Sequence, residues 1–397
     1  MRYKQLIGDV VLSVVASCVP LVLLQLAILP LVAGRLSEDE YGLVVTLIAL
    51  LNLFPGTVGN VLNNIRLMDG KANVGRTSPA NYSFVVVTFT VLSAIVTAVI
   101  AYLYVKRLSI SVVGMGVLAA LTVVREYLVV AYRIKLNYRF ILINNVFLAV
   151  GYLVGFVLFL LVDRWELIYL CGLTLSLCFI LKTTSLWREP ISIDKDLALL
   201  VKDNGILLGS SILGKSTAYA DRMVIFPLLG GVETSVYYVA TLFGKVLSMG
   251  VSPLNSVILS YLSRLSSRPQ KAFWKSLAIC AILSVVGYVV TMLIARPLLG
   301  FLYPQFVNEA MVYVGVVTIT AYMGVLISVA DPYVLRFFPL KWQIIENGGF
   351  GLLYFALALA LMGHYGLMGF CVGALIASAV KLIFLIFLYC NGKEKVV

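Results

Sequence analysis

Charge is scarce in this chain. Of 397 residues only 12% are Asp, Glu, Lys or Arg, and His364 is the single histidine. Soluble domains carry about twice that share of charge, so a soluble globular protein is excluded at the outset. Cysteine is sparse too. Cys18, Cys171, Cys178, Cys280, Cys371 and Cys390 form no CxxC and no Cys/His cluster. They read as small apolar packing residues, and neither a disulfide framework nor a metal centre is expected. GxxxxGK[ST] is absent, so the chain carries no ATP-driven engine, and HExxH and GxSxG are absent as well. Basic residues outnumber acidic ones by 30 to 18, for a net charge of +12. No basic, aromatic-interleaved soluble module accompanies that surplus, so nucleic acid is not an expected partner. No bound cofactor is expected either.

What is present is apolar. Hydrophobic residues make up 61% of the chain, and the mean hydropathy is +1.03. About twelve apolar stretches follow one another, near 10–33, 41–63, 81–104, 110–132, 140–161, 165–184, 205–228, 234–262, 271–294, 309–330, 345–362 and 366–390. Each is about long enough to cross a bilayer. Helices are expected, because a helix satisfies its own backbone where no water can, and the alternation of a membrane barrel is missing. The first stretch is too long for a signal-peptide core and reads as an uncleaved span. With the N-terminus inside, twenty lysines and arginines fall on the inner side. Only Arg35, Lys106, Arg107, Arg164 and Arg296 fall on the outer side. That bias places both termini in the cytoplasm.

The expected fold is therefore an all-α polytopic membrane protein of about twelve transmembrane helices. The longest loop, from about Thr183 to Asn204, divides it into a six-helix bundle over 1–184, a cytoplasmic linker over 185–204 and a second six-helix bundle over 205–397. The LALLVKDNGILLG portion of that loop is expected to start as a short interfacial helix. Faint echoes relate the halves. Arg133 and Asn144 are 11 residues apart, as are Arg336 and Asn347. Matched halves suit a transporter with its site between repeats.

Charges that remain inside the spans need a reason, since each costs roughly 2.5–3.5 kcal/mol to insert. The deep cations are Arg125, Lys215, Arg222, Lys245 and Lys381, and the deep anions are Glu126 and Asp221. Cross-helix ion pairs such as Asp221 with Lys245 and Glu126 with Lys381 are one reading. They leave three cations over. The other reading is an aqueous cationic cavity for an anion, with phosphate or pyrophosphate as candidates. Asn52, Gly56, Gly59, Asn60 and Asn63 form a stripe on one helix face, with Pro55 beside them as a weak point. Close packing through the glycines is one explanation; a cavity wall whose amides bind sugar hydroxyls is the other. Tyr132, Tyr219, Tyr237 and Tyr238 lie near the charged helices and are candidates for stacking on sugar rings. GYLVG at 151–155 and GFCVG at 369–373 match GxxxG and read as packing motifs rather than dimer contacts.

Three segments carry a resemblance. YADRMVIFPLLGGVETSVYYVATLFGKV at 219–246 resembles the seventh-to-eighth-span signature of polysaccharide flippases. GRLSEDEYGLVVTLIAL at 34–50 resembles their first external turn, and RPLLGFLYPQF at 296–306 their segment between helices nine and ten. The family is that of O-antigen and capsular repeat-unit flippases, within the multidrug/oligosaccharidyl-lipid/polysaccharide exporter superfamily. The resemblance implies a MATE-like pair of bundles in a bacterial cytoplasmic (inner) membrane. It implies an undecaprenyl-pyrophosphate-linked oligosaccharide as cargo, moved by alternating access coupled to a proton or sodium gradient. Besides membrane lipids, expected partners are a polysaccharide polymerase and a chain-length regulator. On this reading Arg125, Lys215, Arg222, Lys245 and Lys381 bind pyrophosphate, Asn60 and Asn63 contact sugar, and Asp221 or Glu126 couples the ion. Two rivals stand beside it: a cation-coupled multidrug exporter of the same superfamily, and an integral-membrane polymerase or acyltransferase.

Overall fold

The computed structural model describes residues 18–72, 79–191, 193, 197–247, 262, 268–338 and 341–392. The stretches 10–17 and 248–261 of the expected first and eighth spans lie outside the described residues. What is described is almost entirely helical. The first helices are α1 (Cys18–Ala33), α2 (Glu38–Leu53), α3 (Pro55–Ala72), α4 (Pro79–Val105), α5 (Ile110–Leu128) and α6 (Val130–Ile134). Then come α7 (Tyr138–Val162), α8 (Glu166–Thr183), α9 (Leu197–Leu229), α10 (Gly231–Ala240), α11 (Gln270–Leu302), α12 (Val307–Phe337) and α13 (Lys341–Asn391).

Local chemistry explains where these helices start and break. Ser37 and Glu40 close a capping box on α2: Glu40 N–H donates to Ser37 Oγ at 3.3 Å and Ser37 N–H to Glu40 Oε2 at 3.1 Å. The break between α2 and α3 falls at Phe54, the residue before Pro55, where the α conformation is crowded by the proline ring. The wide turn Leu23–Ile28 precedes Pro30, which has no N–H to continue the ladder. Helix α13 bends at Gly366, whose φ of 57° suits a residue without a Cβ. Its two arms then meet closely: a Cβ at Gly373 would lie 2.7 Å from Ala358 Cα.

Helices α7 and α8 form the tightest pairing described. A Cβ on Gly151 would lie 2.5 Å from Gly172 Cα, and one on Gly155 would strike the Leu167 carbonyl. Both GxxxG motifs are thus consumed by contacts within the chain, which removes them as dimer surfaces.

The chain separates into two compact units, Met1–Pro227 and Leu228–Val397. Leu200 at the start of α9 is buried with Val58, Leu62, Val123 and Ile180 in the core of the first unit. That helix is continuous from Leu197, so the expected interfacial piece and the span are one helix, grouped with the first unit. The second unit has its own core around Phe273, Tyr333, Leu385 and Tyr389, with the Phe273 and Tyr389 rings stacked at 3.8 Å.

Eight segments of the described residues are long and apolar enough to cross a membrane, and the last, Gly348–Asn391, contains the Gly366 bend. Several present bare apolar faces. Val91, Leu92, Ile95, Val99 and Leu103 on α4 are exposed, as are Ile282, Leu283, Val285, Val289 and Leu293 on α11. Such continuous faces are tolerable only against lipid. This is a multi-pass membrane protein.

Candidate functional site

The first unit holds a half-open cavity of about 540 Å³. Its wall joins the asparagine stripe to the charged helices. Asn52 from α2, Gly56, Asn60 and Asn63 from α3, Arg125 and Glu126 from α5, Arg133 from α6, Asn145 and Tyr152 from α7, and Lys215 and Tyr219 from α9 all line it.

The stripe both packs and lines the cavity. Gly59 is a packing residue: a Cβ there would lie 2.6 Å from Glu126 Cβ and 2.9 Å from the Val123 carbonyl. This close approach lets α3 lie against α5. The neighbouring positions on the stripe then face the cavity. Asn63 Nδ2 donates to the Glu126 carbonyl at 2.7 Å, while its Oδ1 accepts from Arg133 Nη1 at 2.5 Å. The same Nη1 reaches Asn64 Oδ1 at 2.9 Å.

Arg125 is 8% exposed and its guanidinium is held on three sides. Nε donates to Ser176 Oγ at 2.9 Å, Nη1 to Glu126 Oε1 at 2.5 Å and Nη2 to Asn145 Oδ1 at 2.5 Å. Ser176 in turn donates to Asn144 Oδ1 at 2.8 Å. The charge is fixed by α7 and α8 before any ligand arrives. Lys215 differs. Among the described residues no hydrogen bond or ion pair takes its ammonium, though Glu126 lies within electrostatic range across the cavity. Three cations, Arg125, Arg133 and Lys215, thus face the one carboxylate of Glu126.

The other expected site residues do not line this cavity. Asp221 and Arg222 are buried on α9 and pair with each other: Arg222 Nε lies 3.7 Å from Asp221 Oδ1, which also accepts from the Arg222 N–H at 2.8 Å. In the second unit, Lys245 donates to the Tyr238 carbonyl at 3.1 Å and sits 3.2 Å from that ring's centroid. Lys381 lies 3.1 Å from Glu346 Oε1. Glu126 pairs with Arg125, its chain neighbour, and Asp221 with Arg222. Each anion is met by the cation adjacent in sequence, which needs no second helix to be brought up.

Of the four tyrosines, only Tyr219 reaches the cavity. Tyr132 bonds Thr183, Tyr237 packs edge-on against Phe370 at 5.6 Å, and Tyr238 holds Lys245. Arg336 Nε donates to the Leu262 carbonyl at 3.3 Å, and the Asn347 side chain lies outside the described residues. Two cavity residues escaped the sequence reading as site residues. Arg133 enters the sequence reading only through the charge bias and the echo with Asn144. Asn145 was overlooked, although an Asn-Asn pair in an otherwise apolar span is itself a signal of a polar interior.

No protein-family model matches this chain, and no curated protein sequence matches it. Solved structures do. The lipid II flippase MurJ in an inward closed conformation superposes with a TM-score of 0.67 at 14% identity, over 96% of this chain and 85% of that one. An inward-facing multidrug resistance MATE family transporter of the MOP superfamily gives 0.64 at 14% identity, over 95% of this chain and 98% of that one. The eukaryotic MATE transporter AtDTX14 gives 0.57 at 12% identity, over 96% and 95%. The chain has the fold of these proteins, which are transporters and a flippase rather than enzymes.

Proposed function

We propose that this chain is a flippase of the multidrug/oligosaccharidyl-lipid/polysaccharide exporter type. Its cargo is an undecaprenyl-pyrophosphate-linked oligosaccharide, turned from the inner to the outer leaflet of a bacterial cytoplasmic membrane for O-antigen, capsule or exopolysaccharide synthesis. The observation that carries this reading is the cavity's charge: three cations against one carboxylate, beside an amide-lined wall. A pyrophosphate is a dense anion that guanidinium and ammonium groups bind strongly, and amides suit sugar hydroxyls. In this reading Lys215 and Arg133 reach the pyrophosphate, Arg125 supplies a fixed field, and Asn52, Asn60 and Asn63 meet the first sugars. Arg222, Lys245 and Lys381 act at other stages of the cycle, and a proton or sodium gradient drives it. Asp221 and Glu126 are candidate coupling carboxylates, since each touches an arginine that it can release.

A drug exporter of the same fold would favour an acidic chamber for organic cations; this chamber repels them. The test is reconstitution. Proteoliposomes holding the purified protein and a labelled lipid-linked oligosaccharide should expose the label to an external glycosidase faster than protein-free vesicles. Equal rates in the two, with drug efflux in cells carrying the protein, would favour the exporter. A deletion strain that accumulates single repeat units on the outer face would favour a polymerase.

A further inference from the structure

The second unit holds a buried charge cluster of its own. Asp331 on α12 and Glu346 near the start of α13 bring their carboxyls within hydrogen-bonding reach of each other. Lys381, on the far arm of α13 beyond Gly366, places Nζ 3.1 Å from Glu346 Oε1 and 4.8 Å from the Phe350 ring centroid. The Glu346 side chain is 0% exposed. Glu346 Oε2 and Asp331 Oδ1 are both buried, and no donor among the described residues gives either a hydrogen bond.

This arrangement is incomplete as it stands. Two ionised carboxylates in contact repel each other, and one ammonium leaves a surplus negative charge in apolar surroundings. A single proton cures both defects. It neutralises the surplus, and it turns one carboxyl into a donor for the other. A metal ion would have to share Glu346 with the ammonium already there; a proton need not. Other charged groups among the described residues of the second unit are engaged or exposed. Arg336, farther along α12, donates to the Leu262 carbonyl, Lys245 is held by Tyr238, and Lys271, Lys275 and Glu309 are exposed.

Both carboxylates also sit where their helices yield. Pro332 follows Asp331 inside α12 and cannot donate to the Ser328 carbonyl. Gly348 and Gly349 follow Glu346, with nothing within 4 Å of where a Cβ would lie. A change of charge at the pair can be taken up as bending.

We propose that Asp331 and Glu346, with Lys381 against Glu346, form a one-proton site in the second unit, through which a proton gradient engages the transport cycle. Its place in a cycle rests on the transporter reading; its ability to bind a proton does not. The test is infrared difference spectroscopy of the purified full-length protein, titrated with acid at low and at high sodium. The wild type should show a protonated-carboxyl band that Asp331→Asn moves to lower pH, by removing the repelling neighbour. Lys381→Met should move the same band to higher pH by about one unit or more, by removing the ammonium. A merely structural role would move neither. Titration identical in wild type and both variants would overturn the site, as would a band that follows sodium at fixed pH. The expected band shifts in a protein that moves no lipid-linked oligosaccharide would defeat the flippase reading and leave the proton site standing.

Discussion

Asn63 ties the asparagine stripe to the charged helix by donating 2.7 Å to the backbone carbonyl of Glu126, while accepting from Arg133. One amide thus holds α3, α5 and α6 in register at the cavity wall. Hydrogen bonds to charged groups contribute about 1.5–3 kcal/mol, and a partner left buried and unmet costs a similar amount. Asn63→Ala should therefore lower the unfolding temperature in detergent and weaken transport together. Asn63→Asp keeps the acceptor for Arg133 and loses the donor to Glu126. An Asn63→Ala protein as stable as wild type would show that the amide is not a structural tie.

Gly59 tests the packing half of the same stripe. A Cβ would meet Glu126 Cβ at 2.6 Å and the Val123 carbonyl at 2.9 Å, and a backbone oxygen cannot swing aside. Overpacking of this kind costs roughly 1–3 kcal/mol. Gly59→Ala should destabilise the first unit, whereas Gly56→Ala, with only the Leu51 carbonyl near at 3.4 Å, should be much milder. Thermal unfolding of the two variants side by side decides the point.

The same reasoning separates packing from association at 151–155. Gly151 and Gly155 are spent on α8, so Gly151→Val should lower stability and expression without changing the oligomeric state. Light scattering in detergent, run beside a melting curve, reads both. A change in mass with unchanged melting would instead place the motif at a subunit contact.

How much of this was open to reading in the chain depends on range. Spans such as the one expected at 81–104, helical over 79–105, were legible because bilayer thickness imposes length and hydropathy directly. Pro55 announced the break at Phe54 by steric rules alone. The stripe was legible because helical spacing puts its members on one face. Partner choice was not. That Glu126 turns to the Arg125 beside it depends on side-chain placement that periodicity does not encode. Glu346 and Asp331 were passed over because they sit close to the expected ends of their spans, where a carboxylate is unremarkable. Their burial is set by how α12 and α13 pack.

Outside the spans, Glu189 gives a pH test. It accepts from Arg66 Nη2 at 2.7 Å, and the Arg66 guanidinium lies over the Tyr82 ring at 4.3 Å. Burial nevertheless pushes its carboxyl above the ordinary 4.5, more than the Arg66 charge pulls it down. A raised folded value means that the contribution to stability is fully present below about 4.5 and is lost as pH rises through the higher folded value. Glu189→Gln removes that loss. Its unfolding temperature should fall less than that of wild type between pH 4 and pH 7, roughly the window around an ordinary glutamate. Parallel slopes for the two proteins would mean that the carboxylate is no better off neutral in the fold.

Lys215 is the sharpest probe of the cavity because its charge can be changed without dismantling a network. Arg125 is bound to Ser176, Glu126 and Asn145, and Arg133 to Asn63 and Asn64, so altering either disturbs the wall as well as the charge. Lys215 has no such ties among the described residues, so Lys215→Ala should leave stability near wild type. Loss of a charge-assisted contact of about 1.5–3 kcal/mol predicts translocation slower by about tenfold or more. Lys215→Arg keeps the charge and should retain most activity, while Lys215→Glu cancels the cavity's surplus of two positive charges and should abolish transport. The ordering Arg above Ala above Glu, measured as lipid-linked oligosaccharide translocated per protein in vesicles, is the signature of an anion seat. A Glu variant as active as the Arg variant would mean that the cargo's charge is bound elsewhere.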